Sequence, residues 1–170
     1  MTELKILTFP TVILRKKASI VEGVSEEIRC LIADMAAVMY LNKGVGLAAT
    51  QVGILKKVAV IDVGDGLVKL INPVIVKKEG LEIEEEGCLS VPDVHVKVKR
   101  AKRVTVSFLS DDWATQEVTA GGLFARAIQH ELDHLSGRLI LDYLNPLRKA
   151  LLYLDVANMR YSSKGSKFSS

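Results

Sequence analysis

The feature that most restricts the fold of this chain is a change in apolar period, from helical to strand-like and back again. From residue 57 to about 119 the β-branched residues cluster into short runs: Val58–Val63, Leu67–Val76, Val94–Val98 and Val104–Phe108. Gly64-Asp65-Gly66 and Asp111-Asp112 supply turns between them. The flanking segments repeat every three or four residues instead. Over residues 25–42, Ile28, Leu31, Ile32, Met35, Val38 and Met39 form one stripe, with Ser25 as cap and Glu26 and Glu27 at the positive end. Gly44 is expected to stop that helix. A second helix is predicted from Leu123 to Leu135, ending before Gly137, and a third from Asn145 with Pro146 in its first position. Helix, many strands, helix, helix predicts an α+β fold. Its mostly antiparallel sheet would pack around the second helix, with N-terminal and C-terminal helices flanking it.

No linker or internal repeat interrupts residues 1 to about 145. The expected organisation is a single domain over 1–161, followed by a Ser/Lys-rich flexible tail over 162–170. A chain of 170 residues, 49% apolar, can bury a core without disulfide support. Its two cysteines, Cys30 and Cys88, suggest a reducing compartment, and Cys30 reads as an ordinary thiol on the first helix. The N-terminus carries no basic leader with an apolar run, and no stretch approaches the roughly 20 apolar residues of a membrane span. A cytoplasmic protein is the expectation, and a matured organellar form would look the same. The net charge of +3 gives no signature of DNA binding.

The second helix carries the chemistry. Gln129-His130-Glu131-Leu132-Asp133-His134 contains His-Glu-x-x-His, which places two imidazoles one helical turn apart on one face. They can ligate one ion, and Glu131 is positioned to take a proton from a water that the ion activates. Leu123 and Ala127 share the face of His130 and His134, so the histidines lie on the apolar side. A hydrolytic site generally needs a third protein ligand. The run after His134, Leu-Ser-Gly-Arg-Leu-Ile-Leu-Asp, has no histidine to provide one. Cys88, His95 or a carboxylate remain as candidates.

Three motifs together resemble the peptide deformylase family. They are Gly44-Val45-Gly46-Leu47-Ala48-Ala49-Thr50-Gln51, then Glu86-Gly87-Cys88-Leu89-Ser90, then Gln129 to His134. The likeness runs from Phe9-Pro10 and Leu14-Arg15 to the segment ending at Pro146. It implies removal of the formyl group from the N-terminal formylmethionine of new polypeptides. By resemblance, Cys88, His130 and His134 are the ligands of one divalent ion, most commonly Fe2+ in the family, with Zn2+, Ni2+ or Co2+ able to replace it. Glu131 is the general base and acid, and the Gln51 side-chain amide and the Leu89 backbone N–H stabilise the oxyanion. Val45, Gly46, Leu123 and Ala127 match substrate-binding positions, while Glu86, Arg100 and Asp133 match a charged cluster behind the ligands. Arg126 stands where several relatives have an apolar residue, which suggests a more polar pocket rim. His95 replaces an arginine that some relatives carry near the mouth. A thiolate beside Fe2+ suggests sensitivity to oxygen.

Other readings share parts of this pattern. A metalloprotease would share the helix but lacks the third histidine downstream. A structural zinc or His₂Cys copper protein has no use for Glu131. An inactive relative would not need Glu131 and Gln51 intact. Arg148, Lys149, Arg160, Lys164 and Lys167 could touch ribosomal RNA transiently, and Leu151, Leu152 and Leu154 could pack on the domain or on a second subunit.

Overall fold

The computed structural model describes residues 4–23 and 25–154. Among these residues, seven strands form two antiparallel groups. Strands β1 (Gly46–Ala48), β2 (Val58–Ile61), β3 (Val68–Glu79), β6 (Arg103–Leu109) and β7 (Thr115–Gly121) make one sheet in the order β1-β2-β3-β6-β7. Strands β4 (Glu82–Cys88) and β5 (Val91–Arg100) pair as a separate hairpin. Helix α1 (Glu26–Leu41) precedes the strands and α2 (Gly122–Leu135) follows them. Residues 146–154 begin a third helix, α3. The α+β arrangement expected from the period changes is the one observed.

Alternation along β2 explains how the sheet is covered on both faces. Val58 and Val60 join Leu47 and Ile71 under Ile28, Ile32, Met35 and Met39 of α1. Ala59 and Ile61 face the other way, with Leu70, Val104, Val106 and Phe108, against Ala125, Ile128 and Leu135 of α2. A third cluster joins Val91, Val96 and Val98 of β5 to Leu14 and to Leu139–Leu141. Helix α2 therefore lies between the sheet and the hairpin. Its hairpin side is polar: Arg126 donates to Val98 O at 3.2 Å, and the Gln129 amide pairs with both Ala101 N and Ala101 O at 3.0 Å.

The helix ends follow local chemistry. Ser25 Oγ accepts from Ile28 N at 3.4 Å at the start of α1, and Asn145 Oδ1 accepts from Arg148 N at 2.8 Å at the start of α3. Helix α2 closes in a Schellman motif: Arg138 N donates to Asp133 O and Gly137 N to His134 O, with Gly137 at φ +77°. A Cβ at Gly137 would collide with the carbonyl oxygen of Arg15. Gly137→Ala is therefore expected to destabilise by roughly 2–4 kcal/mol, from left-handed strain plus backbone displacement. Urea unfolding checks it, and an unchanged midpoint would contradict it.

Several expectations need correction. Helix α1 is stopped by Lys43, at φ +54°, while Gly44 serves a close approach: a Cβ there would meet Leu89 Cδ1 at 2.7 Å. Strand β2 ends at Ile61, not Val63, because Asp62 Oδ1 turns the chain by accepting from Gly64 N and Gly66 N. Strand β3 runs past Val76 to Glu79 because Lys77, Lys78 and Glu79 still pair with β6. Strands β5 and β6 also exceed their expected lengths, and β1, β4 and β7 were not among the expected runs. Strand β4 reads Glu-Ile-Glu-Glu-Glu-Gly-Cys, a composition that disfavours strands until its partners are known. The boundary expected at residue 161 and the tail beyond it lie outside the described residues.

Candidate metal centre

The β4–β5 turn and helix α2 bring the three donors together. Cys88 ends β4 and pairs with Val91 across the two-residue turn Leu89-Ser90. His130 and His134 stand one turn apart on α2. Cys88 Sγ lies 3.2 Å from His134 Nε2, and the two Nε2 atoms lie 3.2 Å apart. Among the described residues these three form a donor group whose atoms all lie within 4.8 Å of one another. His95 is not in it; it is exposed at the cavity mouth, near Gly87.

The spacing fits one ion. Two nitrogens each about 2.0–2.1 Å from a tetrahedral ion stand roughly 3.3 Å apart, close to the observed separation. The protonation of the cluster sets what an ion must displace. Burial pulls the His130 pKa down, but hydrogen bonds to Cys88 and Glu86 and the nearby Glu131 charge outweigh it and push it up to about 10. Burial and the His130 charge hold His134 well below its usual value, so it stays neutral. Metal binding would have to displace the His130 proton, so occupancy should weaken as pH falls. His130 Nδ1 lies 3.0 Å from Glu86 Oε2, which leaves Nε2 as the atom with a free lone pair when Nδ1 carries the proton.

Behind the donors lies a buried charge network. Glu86, only 6% exposed, accepts from Arg100 Nε and Nη2, both at 2.9 Å, and from Arg126 Nη1 at 2.8 Å. Arg100 Nη1 also donates to Asp133 at 2.6 Å, and Tyr143 Oη donates to the same oxygen at 2.6 Å. Burial raises the Glu86 pKa, but the hydrogen bonds from His130 and Arg100 prevail and bring it down to about 2. The expected cluster of Glu86, Arg100 and Asp133 is therefore assembled here.

Glu131 is 3% exposed, its Oε2 has no hydrogen-bond partner among the described residues, and burial pushes its pKa up to about 7. A Cβ at Gly46 would collide with Glu131 Oε1, so the glycine lets β1 pass against the carboxylate. Gln51 Oε1 accepts from Ala48 N at 2.8 Å, while Nε2 stands 3.2 Å from Ser90 Oγ and 3.8 Å from Cys88 Sγ. A cavity of about 400 Å³ opens beside these groups. Val45, Gly46, Leu89, Leu123 and Ala127 line it together with Cys88, His130 and Glu131.

Arg126 departs from expectation. It also lines the cavity, but it is 4% exposed and its guanidinium reaches Glu82, Glu84 and Glu86 of β4 at 3.4, 3.1 and 2.8 Å. Its charge is drawn into the hairpin and does not form a polar rim. Ser90 and Tyr143 were not assigned roles from sequence; Ser90 stood in the quoted cysteine motif, whereas Tyr143 gave no local signal.

The comparisons agree with this geometry. A family model described as polypeptide deformylase matches residues 3–150. The chain is 48% identical over 143 residues to the peptide deformylase of Thermoanaerobacter pseudethanolicus, covering 84% of this chain and 86% of the relative. It is 52% identical over 130 residues to that of Acetivibrio thermocellus, covering 76% of each. The crystal structure of the Ehrlichia chaffeensis peptide deformylase in complex with actinonin superposes with a TM-score of 0.88 at 35% identity, covering 94% of this chain and 98% of that one. The Thermotoga maritima peptide deformylase gives 0.82 at 41% identity, covering 86% and 100%. With its three motifs brought to one cavity and these relatives matched over most of their length, the chain belongs to the polypeptide deformylase family.

Proposed function

We propose that this protein hydrolyses the formyl group from the N-terminal formylmethionine of newly made polypeptides. The observation that carries the reading is the Cys88, His130 and His134 donor group, set beside the buried Glu131 at one wall of a peptide-sized cavity.

These three residues would hold one divalent ion, which supplies Lewis-acid activation of a water and of the formyl carbonyl. Glu131 accepts a proton from the attacking water at its partnerless carboxylate oxygen. The new C–O bond forms at the formyl carbon, the C–N bond breaks, and Glu131 returns the proton to the departing amine. Formate leaves, with the methionine amino group free. The Gln51 amide and the Leu89 backbone N–H donate to the oxygen that becomes negative, and each such donor typically contributes about a hundred- to a thousand-fold. Val45, Leu123 and Ala127 present apolar surface to the methionine side chain, and Gly46 leaves room for the peptide backbone. Glu86, Arg100 and Asp133 hold His130 and the cysteine hairpin in place.

Ferrous iron is our reading of the native ion, supported by the family resemblance; the thiolate and imidazole donors equally suit zinc, nickel and cobalt. We place the protein in the cytoplasm or a matured organelle; among the described residues no helix is long and apolar enough to cross a membrane. Transient ribosome contact is proposed for Arg148 and Lys149 at the start of α3, while Arg160, Lys164 and Lys167 lie outside the described residues. Leu152 packs into the third core cluster, whereas Leu151 and Leu154 stay exposed.

Formate release from a short N-formyl-methionyl peptide tests the reading, using protein loaded anaerobically with Fe2+ or reconstituted with nickel. Release from that peptide, with no cleavage of casein, is expected. Fully loaded protein that cleaves casein and releases no formate would make it a protease instead.

A further inference from the structure

Gln51 has its amide orientation decided by its neighbours. The Ala48 backbone N–H can only donate, and it lies 2.8 Å from one terminal atom of the side chain, which is therefore Oε1. Nε2 must be the other terminus. It carries two hydrogens and has two neighbours, Ser90 Oγ at 3.2 Å and Cys88 Sγ at 3.8 Å. The hydroxyl is the better acceptor by chemistry and by distance, so it takes one hydrogen. The second is directed to the Cys88 side, where the cavity lies and only a long contact to sulfur engages it.

Ser90 is itself immobilised. It is fully buried, sits in the two-residue turn that carries Cys88, and its carbonyl accepts from Phe9 N at 2.8 Å. Gln51, 1% exposed, comes from the separate 3-10 turn Ala49–Val52. The hydroxyl is thus the bond by which the cysteine turn fixes the angle of an amide that belongs to another element. Without it, the amide would be held at Oε1 and by the long contact to sulfur, and its plane could tilt about the Oε1 bond.

We propose that Ser90 is a positioning residue: its hydroxyl holds the Gln51 amide so that one N–H remains aimed at the reacting formyl oxygen. The inference rests on the reading of Gln51 as an oxyanion donor. Ser90 acts through Gln51 and touches no substrate atom.

A double-mutant cycle tests it on metal-loaded protein, with parent, Ser90→Ala, Gln51→Ala and the double variant compared for kcat, KM and metal content. Ser90→Ala should lower kcat about tenfold, the scale of one hydrogen bond together with lost orientation, with KM and metal content unchanged. In the Gln51→Ala background the same change should cost less than about twofold, because the group it positions is gone. Separately, the Gln51 side-chain amide protons of the zinc-loaded protein should exchange slowly with solvent, and Ser90→Ala should shift their NMR signals and speed that exchange. If Gln51→Ala leaves kcat unchanged, the oxyanion reading fails and takes this inference with it. If Gln51→Ala is severe but the Ser90→Ala loss adds to it in full, Gln51 stands and the role of Ser90 is overturned. An unchanged kcat or unchanged amide signals in Ser90→Ala would overturn it too.

Discussion

Glu131→Gln should lower kcat for formate release by about 10²–10⁴-fold while the protein keeps one equivalent of metal, the scale expected when a positioned general base is removed. Glutamine preserves the shape that Gly46 accommodates, so β1 and α2 need not move. What is lost is the carboxylate, whose Oε2 faces no hydrogen-bond partner among the described residues and whose pKa burial pushes up to about 7. A positive ion held by Cys88, His130 and His134 would lower that value and keep the base ionised at neutral pH. The acid limb of kcat/KM should therefore fall below pH 7. Full activity in Glu131→Gln, or a metal-free variant, would contradict the assignment.

Arg100→Ala should be the most damaging change away from the cavity. Arg100 is 5% exposed and joins Glu86 on the hairpin to Asp133 on α2, with its guanidinium beneath the ring of Tyr143. Removing it takes the shared buried counter-charge from Glu86 and Asp133 and leaves them Arg126, His130 and Tyr143, so a loss of about 3 kcal/mol is expected, the lower end for a broken buried pair. Glu86 also holds His130, so metal affinity should drop by roughly 10–100-fold. Chemical denaturation and a competitive chelator titration measure the two effects. Unchanged stability and affinity would show that the network is incidental. The same network gives a pH signature in the metal-free protein. Glu86 has its folded pKa depressed from 4.5 to about 2, so its contribution is present above about pH 4.5 and lost as pH falls toward 2.

The parts legible in the sequence are those encoded locally. Ser25, Asn145 and Gly137 announce helix ends because capping is settled within four residues. His130 and His134 declare a shared face because helical spacing alone puts them there. By residue chemistry Cys88, His95 or a carboxylate can complete the ligand set, and family likeness singles out Cys88. What stayed hidden depends on partners distant in sequence. Strand β4 looks too acidic to pair until Arg100 and Arg126 are brought against Glu82, Glu84 and Glu86. The direction of Arg126 is decided by those carboxylates, so its position on α2 could not reveal that its charge turns away from the rim. Lys43 takes the left-handed residue at the end of α1, and the close approach of Gly44 to Leu89 comes from across the site, so neither was legible in the local sequence.

Metal dependence of the deformylation is tested by titrating metal-free protein with Fe2+ under anaerobic conditions, following bound metal and formate release in the same samples. Release should rise in proportion to occupancy and saturate at one ion per chain, and a Cys88→Ala, His130→Ala, His134→Ala triple variant should gain neither. Formate release that persists without metal, or an ion still tightly held by the triple variant, would contradict it.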